Sequence, residues 1–135
     1  MKSFQEYILE NNIKFNNIIY HFIIDPDFDN DGVQLVDFDI EKVDKLFKKD
    51  QDYYIKYLGK NSTQSEFKYQ RFLDFLQNNK TIKAPSISVN DEGNISFNNG
   101  RHRFAVFRDQ GFKELPMSVS KESLLNAKKF SLISQ

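Results

Sequence analysis

Apolar and polar positions along this chain recur with two periods, and the changes between them mark its elements. Ile18 to Ile24 is a nearly continuous run of strand-forming residues, ended by Asp25-Pro26, and its length suits a buried strand. Ile40, Val43, Leu46 and Phe47 recur at helical spacing, with Asp37 or Asp39 placed to cap the helix. A helical face resumes at Tyr53, Tyr54, Tyr57 and Leu58 after a break near Asp50, and Gly59 stops it. Thr63-Gln64-Ser65-Glu66 reads as a capping box ahead of an amphipathic helix from Phe67 to Gln77, with Tyr69, Phe72, Leu73 and Leu76 on one side. An earlier capping box, Ser3 to Glu6, predicts a short helix running to about Glu10.

The second half is denser in turns. The pattern predicts a strand at Ser86–Asn90, a turn at Asp91-Glu92-Gly93 and a strand at Asn94–Phe97. Asn98-Asn99-Gly100 then turns the chain into a helix reaching Gln110, with Gly111 as its C′ residue. A strand at Leu115–Val119 and a final helix from Glu122 to about Phe130, capped by Ser120, complete the order. Helices and short strands in this mixture predict an α+β fold, a small mixed sheet with surrounding helices. No repeat or linker divides the 135 residues, which read as a single domain over 1–135.

Gly100-Arg101-His102-Arg103 carries the strongest chemical signal. The first-turn N–H groups of a helix and its dipole favour an anion, and arginine adds forked donors matched to phosphate oxygens. Cations at that end are otherwise unfavourable by about 0.3–1 kcal/mol each, a cost that a bound polyanion reverses. Histidine at the same turn brings a group expected to titrate near neutral pH.

The segment from Asn94 to Ser120, read as strand, Gly-x-His-Arg, helix, Gly, Glu-Leu-Pro and strand, resembles the ParB/sulfiredoxin-like superfamily. Sulfiredoxins carry Gly-Cys-His-Arg followed by an aromatic residue, and this chain carries Gly100-Arg101-His102-Arg103-Phe104. Tyr69-Gln70-Arg71-Phe72-Leu73 and Ala84-Pro85-Ser86-Ile87-Ser88-Val89 fit the helix and Pro-x-x-Val strand that precede the motif, so the likeness spans about 67–120. Residues 1–59 have no counterpart in it. The resemblance implies bound ATP or CTP, with Asn99, Gly100, Arg101, His102 and Arg103 around the phosphates and magnesium as an accompanying ion. It makes Arg103 the direct phosphate ligand and His102 the proton-handling, catalytic candidate. Asn99 stands where many ParB-like members carry an acid, which puts an acid-assisted step in doubt.

Composition narrows the chemistry. Cysteine is absent, which excludes disulfides, Cys–zinc sites and the thiol repair chemistry of true sulfiredoxins, whose reactive position is Arg101 here. The charge is balanced, 19 basic residues against 19 acidic, so any nucleic-acid binding would rest on a local patch. With 14 Phe and 6 Tyr the core is expected to be aromatic-rich. No signal pattern or membrane-length apolar run is present, so the reading is cytoplasmic with no membrane partner.

Other motifs have plainer readings. Asp27-Phe28-Asp29-Asn30-Asp31-Gly32 opens like a calcium loop, yet its twelfth position is Phe38, which cannot ligate. A solvated acidic turn or an Asp–Arg contact with the basic motif is the better expectation, with Asp27, Asp29 and Asp31 left as weak metal ligands. His21 reads as a satisfied core or edge histidine, and Tyr53, Tyr54 and Tyr57 as core tyrosines with wet hydroxyls, base stacking being the rival. The favoured function is a nucleotide-binding protein, with hydrolase or phosphotransferase activity as its catalytic form. One alternative is a non-enzymatic inhibitor of plasmid or phage origin that keeps the fold and uses the basic turn against an acidic partner; separately, residues 1–59 are a candidate surface for a protein partner. A second is a nucleic-acid binder or nuclease, disfavoured by the zero net charge.

Overall fold

In a computed structural model, the structure describes residues 12–30 and 32–134. The helix expected at Ser3–Glu10 lies outside them. The fold is α+β, as the pattern predicts, with two small sheets where one was expected.

Strand β1 (Asn12–Phe15) and strand β2 (Ile18–Ile23) form an antiparallel hairpin. Asn16 and Asn17 make its turn, both with positive φ, a conformation asparagine tolerates better than most residues. Strand β3 (Gln34–Asp39) runs straight into helix α1 (Ile40–Phe47), whose first turn is capped by Asp39 accepting from the Lys42 N–H. Helix α2 (Thr63–Asn78) begins earlier than expected, because Ser62 is its cap and accepts from the Ser65 N–H. Strands β4 (Thr81–Lys83), β5 (Ser86–Val89) and β6 (Ile95–Asn99) lead into helix α3 (Arg101–Gln110). Strand β7 (Glu114–Val119) and helix α4 (Lys121–Lys129), capped by Ser120, follow.

One sheet has the order β1-β2-β4 and the other β3-β7-β5-β6. Only Ala84-Pro85 separates β4 from β5, so the chain crosses between sheets at that dipeptide. Proline cannot donate a ladder bond, which suits it to such a junction. Its carbonyl still accepts from the Ser118 N–H at 2.8 Å.

Helix α3 lies at the centre of the core. Phe104, Ala105, Val106 and Phe107 are all fully buried, so it is covered on every side. Phe104 packs against Phe47 of α1 and Phe97 of β6, while Phe107 packs against Phe22, Phe72 and Phe112. The expected aromatic core is present, and its rings meet mostly at tilted or edge-to-face angles.

The helical face expected from Tyr53 to Leu58 does not form. Residues 50–61 make turns and one 3₁₀ turn at Tyr57–Gly59, with Leu58 at φ 57°. Only Ile55 and Gly59 of this segment are buried, so the tyrosine spacing marks no core face. Asn61 takes over local bonds instead, accepting from the Lys56 N–H and donating to the Tyr54 carbonyl. Ile18 to Ile23 is also not the buried strand expected: its residues alternate, and Ile19 is exposed. Among the described residues no helix is long and apolar enough to cross a membrane.

Candidate functional site

Strand β6 delivers the chain to Gly100, which turns at φ 84° and starts α3 with no side-chain cap. Among the described residues the other three α-helices each have one, from Asp39, Ser62 and Ser120. A Cβ at Gly100 would lie 2.9 Å from Pro85 Cα and 3.0 Å from Pro85 Cβ. Glycine is therefore required by the left-handed turn and by the sheet crossover beneath it.

The uncapped turn opens on a cleft of about 810 Å³, within the range of small-molecule sites. Lys68 and Arg71 from α2 face Arg101, His102 and Arg103 from α3, while Asp50 is the only acid lining the cleft among the described residues. Lys68, Arg71 and Arg101 form no salt bridge with the described residues. Aromatic rings supply the remaining walls. Phe97 rises from β6, Phe72 and Phe75 stack on each other with centroids 5.8 Å apart, and Tyr53 comes from the irregular 50–61 segment.

The motif residues divide by their partners. Arg101 reaches across to Tyr53, donating from Nη1 to its carbonyl at 3.0 Å with the guanidinium over the ring at 5.1 Å. Arg103 turns the other way. It donates to the Lys83 carbonyl and lies 4.0 Å from Asp25, and its Nε is 3.1 Å from where a Gly100 Cβ would sit, so it braces the sheet crossover beside Gly100. Asn99 is engaged there too, its Nδ2 donating to Asp25 Oδ2 at 2.9 Å. Asp25, buried and also accepting from the Asp27 N–H, is thus the hub that fixes the motif. From the sequence alone Asp25 marks only the end of a strand. Asp before Pro is a common cap for a short turn, and Asp25 does cap the 3₁₀ turn Pro26–Phe28.

His102 is held neutral, contrary to the expectation of near-neutral titration. Burial, the Arg101 charge and the Lys68 charge together pull its pKa down to about 4. Its Nε2 lies 3.1 Å from the hydroxyl of Ser65, which ties the starts of α2 and α3 together. A base this weak is poorly matched to proton transfer at pH 7.

The weak metal ligands are not gathered. Asp27 and Asp29 are exposed, Asp31 lies outside the described residues, and among the described residues no cluster of three His, Cys, Asp or Glu side chains could hold a metal. His21 is an exposed histidine on the central strand β2, with Nδ1 2.6 Å from Asn12 Oδ1, so it is satisfied as expected but is neither a core nor an edge residue. Tyr54 is partly buried, whereas Tyr53 and Tyr57 are exposed, against the core reading.

Lys68, Arg71, Phe72 and Phe75 were not read as site residues. The missed signal was aromatic residues off the apolar face: Phe67 and Phe75 sit on the exposed side of α2, where an amphipathic helix normally carries polar groups. No protein-family model matches this chain, and neither a curated protein nor a solved structure matches it.

Proposed function

We propose that the cleft binds a nucleotide, ATP or CTP, with its phosphates between α2 and the first turn of α3 and its base against the aromatic wall. One observation carries this reading. Among the described residues, Lys68, Arg71 and Arg101 converge without acidic partners on a helix N-terminus that no side chain caps. A phosphate chain satisfies the free N–H groups and the cations together, and the rings account for the apolar share of the walls.

In this reading Lys68, Arg71 and Arg101 are the phosphate ligands. Arg103 is a positioning residue that holds the Gly100 turn through Lys83 and Asp25. The arrangement of β6, Gly100, α3 and β7 follows the order of the ParB/sulfiredoxin-like motif and supports that resemblance. Magnesium would enter on the phosphates, since a hard cation commonly uses substrate oxygens with few protein ligands. If turnover occurs, positioning and charge neutralisation supply it, and His102 contributes hydrogen bonding. A phosphate beside His102 raises its pKa, so nucleotide affinity should increase as the pH falls toward 5.

The test is a thermal melt with ATP, CTP, GTP or a short DNA, each with and without magnesium. The reading expects ATP or CTP to raise the melting temperature of the wild type and to lose that effect in Arg101→Ala. An unchanged melting temperature with every nucleotide would instead support the protein-interaction alternative.

A further inference from the structure

Three aromatic rings on the elements that build the cleft are exposed: Tyr53 at 59%, Phe75 at 43% and Phe67 at 66%. Tyr53 and Phe75 line it, but Phe67 stands outside the lining. Phe67, Arg71 and Phe75 follow one another at four-residue intervals on α2, so they form one outward stripe with a cation between two rings. The stripe spans about 12 Å along the helix axis, more than one base can cover. Lys68 flanks it, and no acid on α2 faces the cleft. A free mononucleotide explains Phe75 and leaves Phe67 with nothing to contact.

We infer that the cleft takes its nucleotide as one unit of a single-stranded nucleic acid, whose neighbouring base stacks on Phe67 and whose linking phosphate lies against Arg71. This inference rests on the nucleotide reading of the cleft and extends it along α2. Alternating rings and cations are what sequence-tolerant single-strand binding requires, because every base has a π face and every linkage a charge. The zero net charge gives no whole-molecule attraction for a nucleic acid, so the affinity rests on this local patch. Tyr53 offers the stacking surface on the far side, with Arg101 against its ring.

The experiment measures anisotropy of a labelled oligothymidylate, with thymidine 5′-monophosphate as competitor. The oligonucleotide should bind more tightly than the mononucleotide. Phe67→Ala should weaken the oligonucleotide about tenfold, the loss of one stacked base, and leave the mononucleotide unchanged. Phe67→Trp should keep the wild-type affinity, and melting curves of both variants should match the wild type because the residue is exposed. Arg71→Gln should lower the salt dependence by about 0.7 in log–log slope, one single-strand phosphate contact. Equal affinity for oligonucleotide and mononucleotide, with no effect of Phe67→Ala, would overturn the inference and leave the nucleotide reading standing. No binding of the oligonucleotide, while ATP or CTP still raises the melting temperature, would likewise overturn the inference alone; no effect of any of them would overturn both. Equal competition by polyglutamate would also overturn both, since it would reduce the patch to a general anion surface.

Discussion

The two ends of α3 hold similar residues in opposite states. At the C-terminal end Arg108 donates to Asp109, Asp44 and the Ile55 carbonyl, with its guanidinium over the Tyr54 ring. Asp109 in turn accepts from the Tyr69 hydroxyl and the Leu58 N–H. Every charge there has a partner of opposite sign. Burial and the Asp109 bond push the Tyr69 phenol above its usual pKa, so it stays a donor at any physiological pH. At the N-terminal end Lys68, Arg71 and Arg101 gather around an open cleft with Asp50 as the one acid among the described residues. The C-terminal cluster is a structural fastening that holds residues 54–58 to α3. The N-terminal cluster is left incomplete by the fold, which is the state expected of a site.

That contrast can be broken from either side. The largest effect is expected from Asp109→Ala, which removes the partner of a nearly buried guanidinium and strips bonds from Tyr69 and Leu58. Urea unfolding should show a loss of about 3 kcal/mol, the low end for breaking a buried pair because Asp44 remains. A loss near zero would mean that this end, too, is incomplete. Gly100→Ala comes next. A left-handed non-glycine residue costs about 1–2 kcal/mol, and contact with Pro85 adds to it, so its melting temperature should fall clearly.

A pH series probes the N-terminal end. The His102 pKa of about 4 lies below its unfolded value of about 6.5, so the unfolded chain binds more protons between these limits. The associated stability is present above pH 6.5 and is lost as the pH falls through about 4. His102→Gln should flatten that part of the curve in urea melts. Asp37, whose pKa is raised by burial and by Glu114, acts in the opposite sense but is common to both proteins and cancels in the difference.

Where the sequence was legible, local chemistry and tertiary packing agreed. Helix α3 was readable end to end, because Gly100 and Gly111 bracket it and both adopt positive φ. Ser120 and Asp39 were readable as caps for the same reason. The β1–β2 hairpin was missed because its Asn16-Asn17 turn contains no glycine, and β3 because its short alternation merges into the Asp39 cap. The tyrosine spacing misled, since residues 50–61 are held by Arg108 and Asp109 from far along the chain. Spacing within a segment cannot reveal that. The site was half legible for a related reason: the Gly-x-His-Arg turn is contiguous, but Lys68 and Arg71 join it only through the packing of α2 on α3. Arg103 was assigned the ligand role, whereas Asp25, remote in sequence, draws it toward the sheet crossover.

The most direct measurement is urea unfolding of a Lys68→Gln/Arg71→Gln double variant with and without saturating nucleotide. These exposed side chains have no acidic partner among the described residues, so apo stability should stay within about 0.5 kcal/mol of wild type or rise. The stabilisation by nucleotide should disappear. A large apo loss with the nucleotide effect intact would contradict the account, placing those cations in the framework and the anion elsewhere.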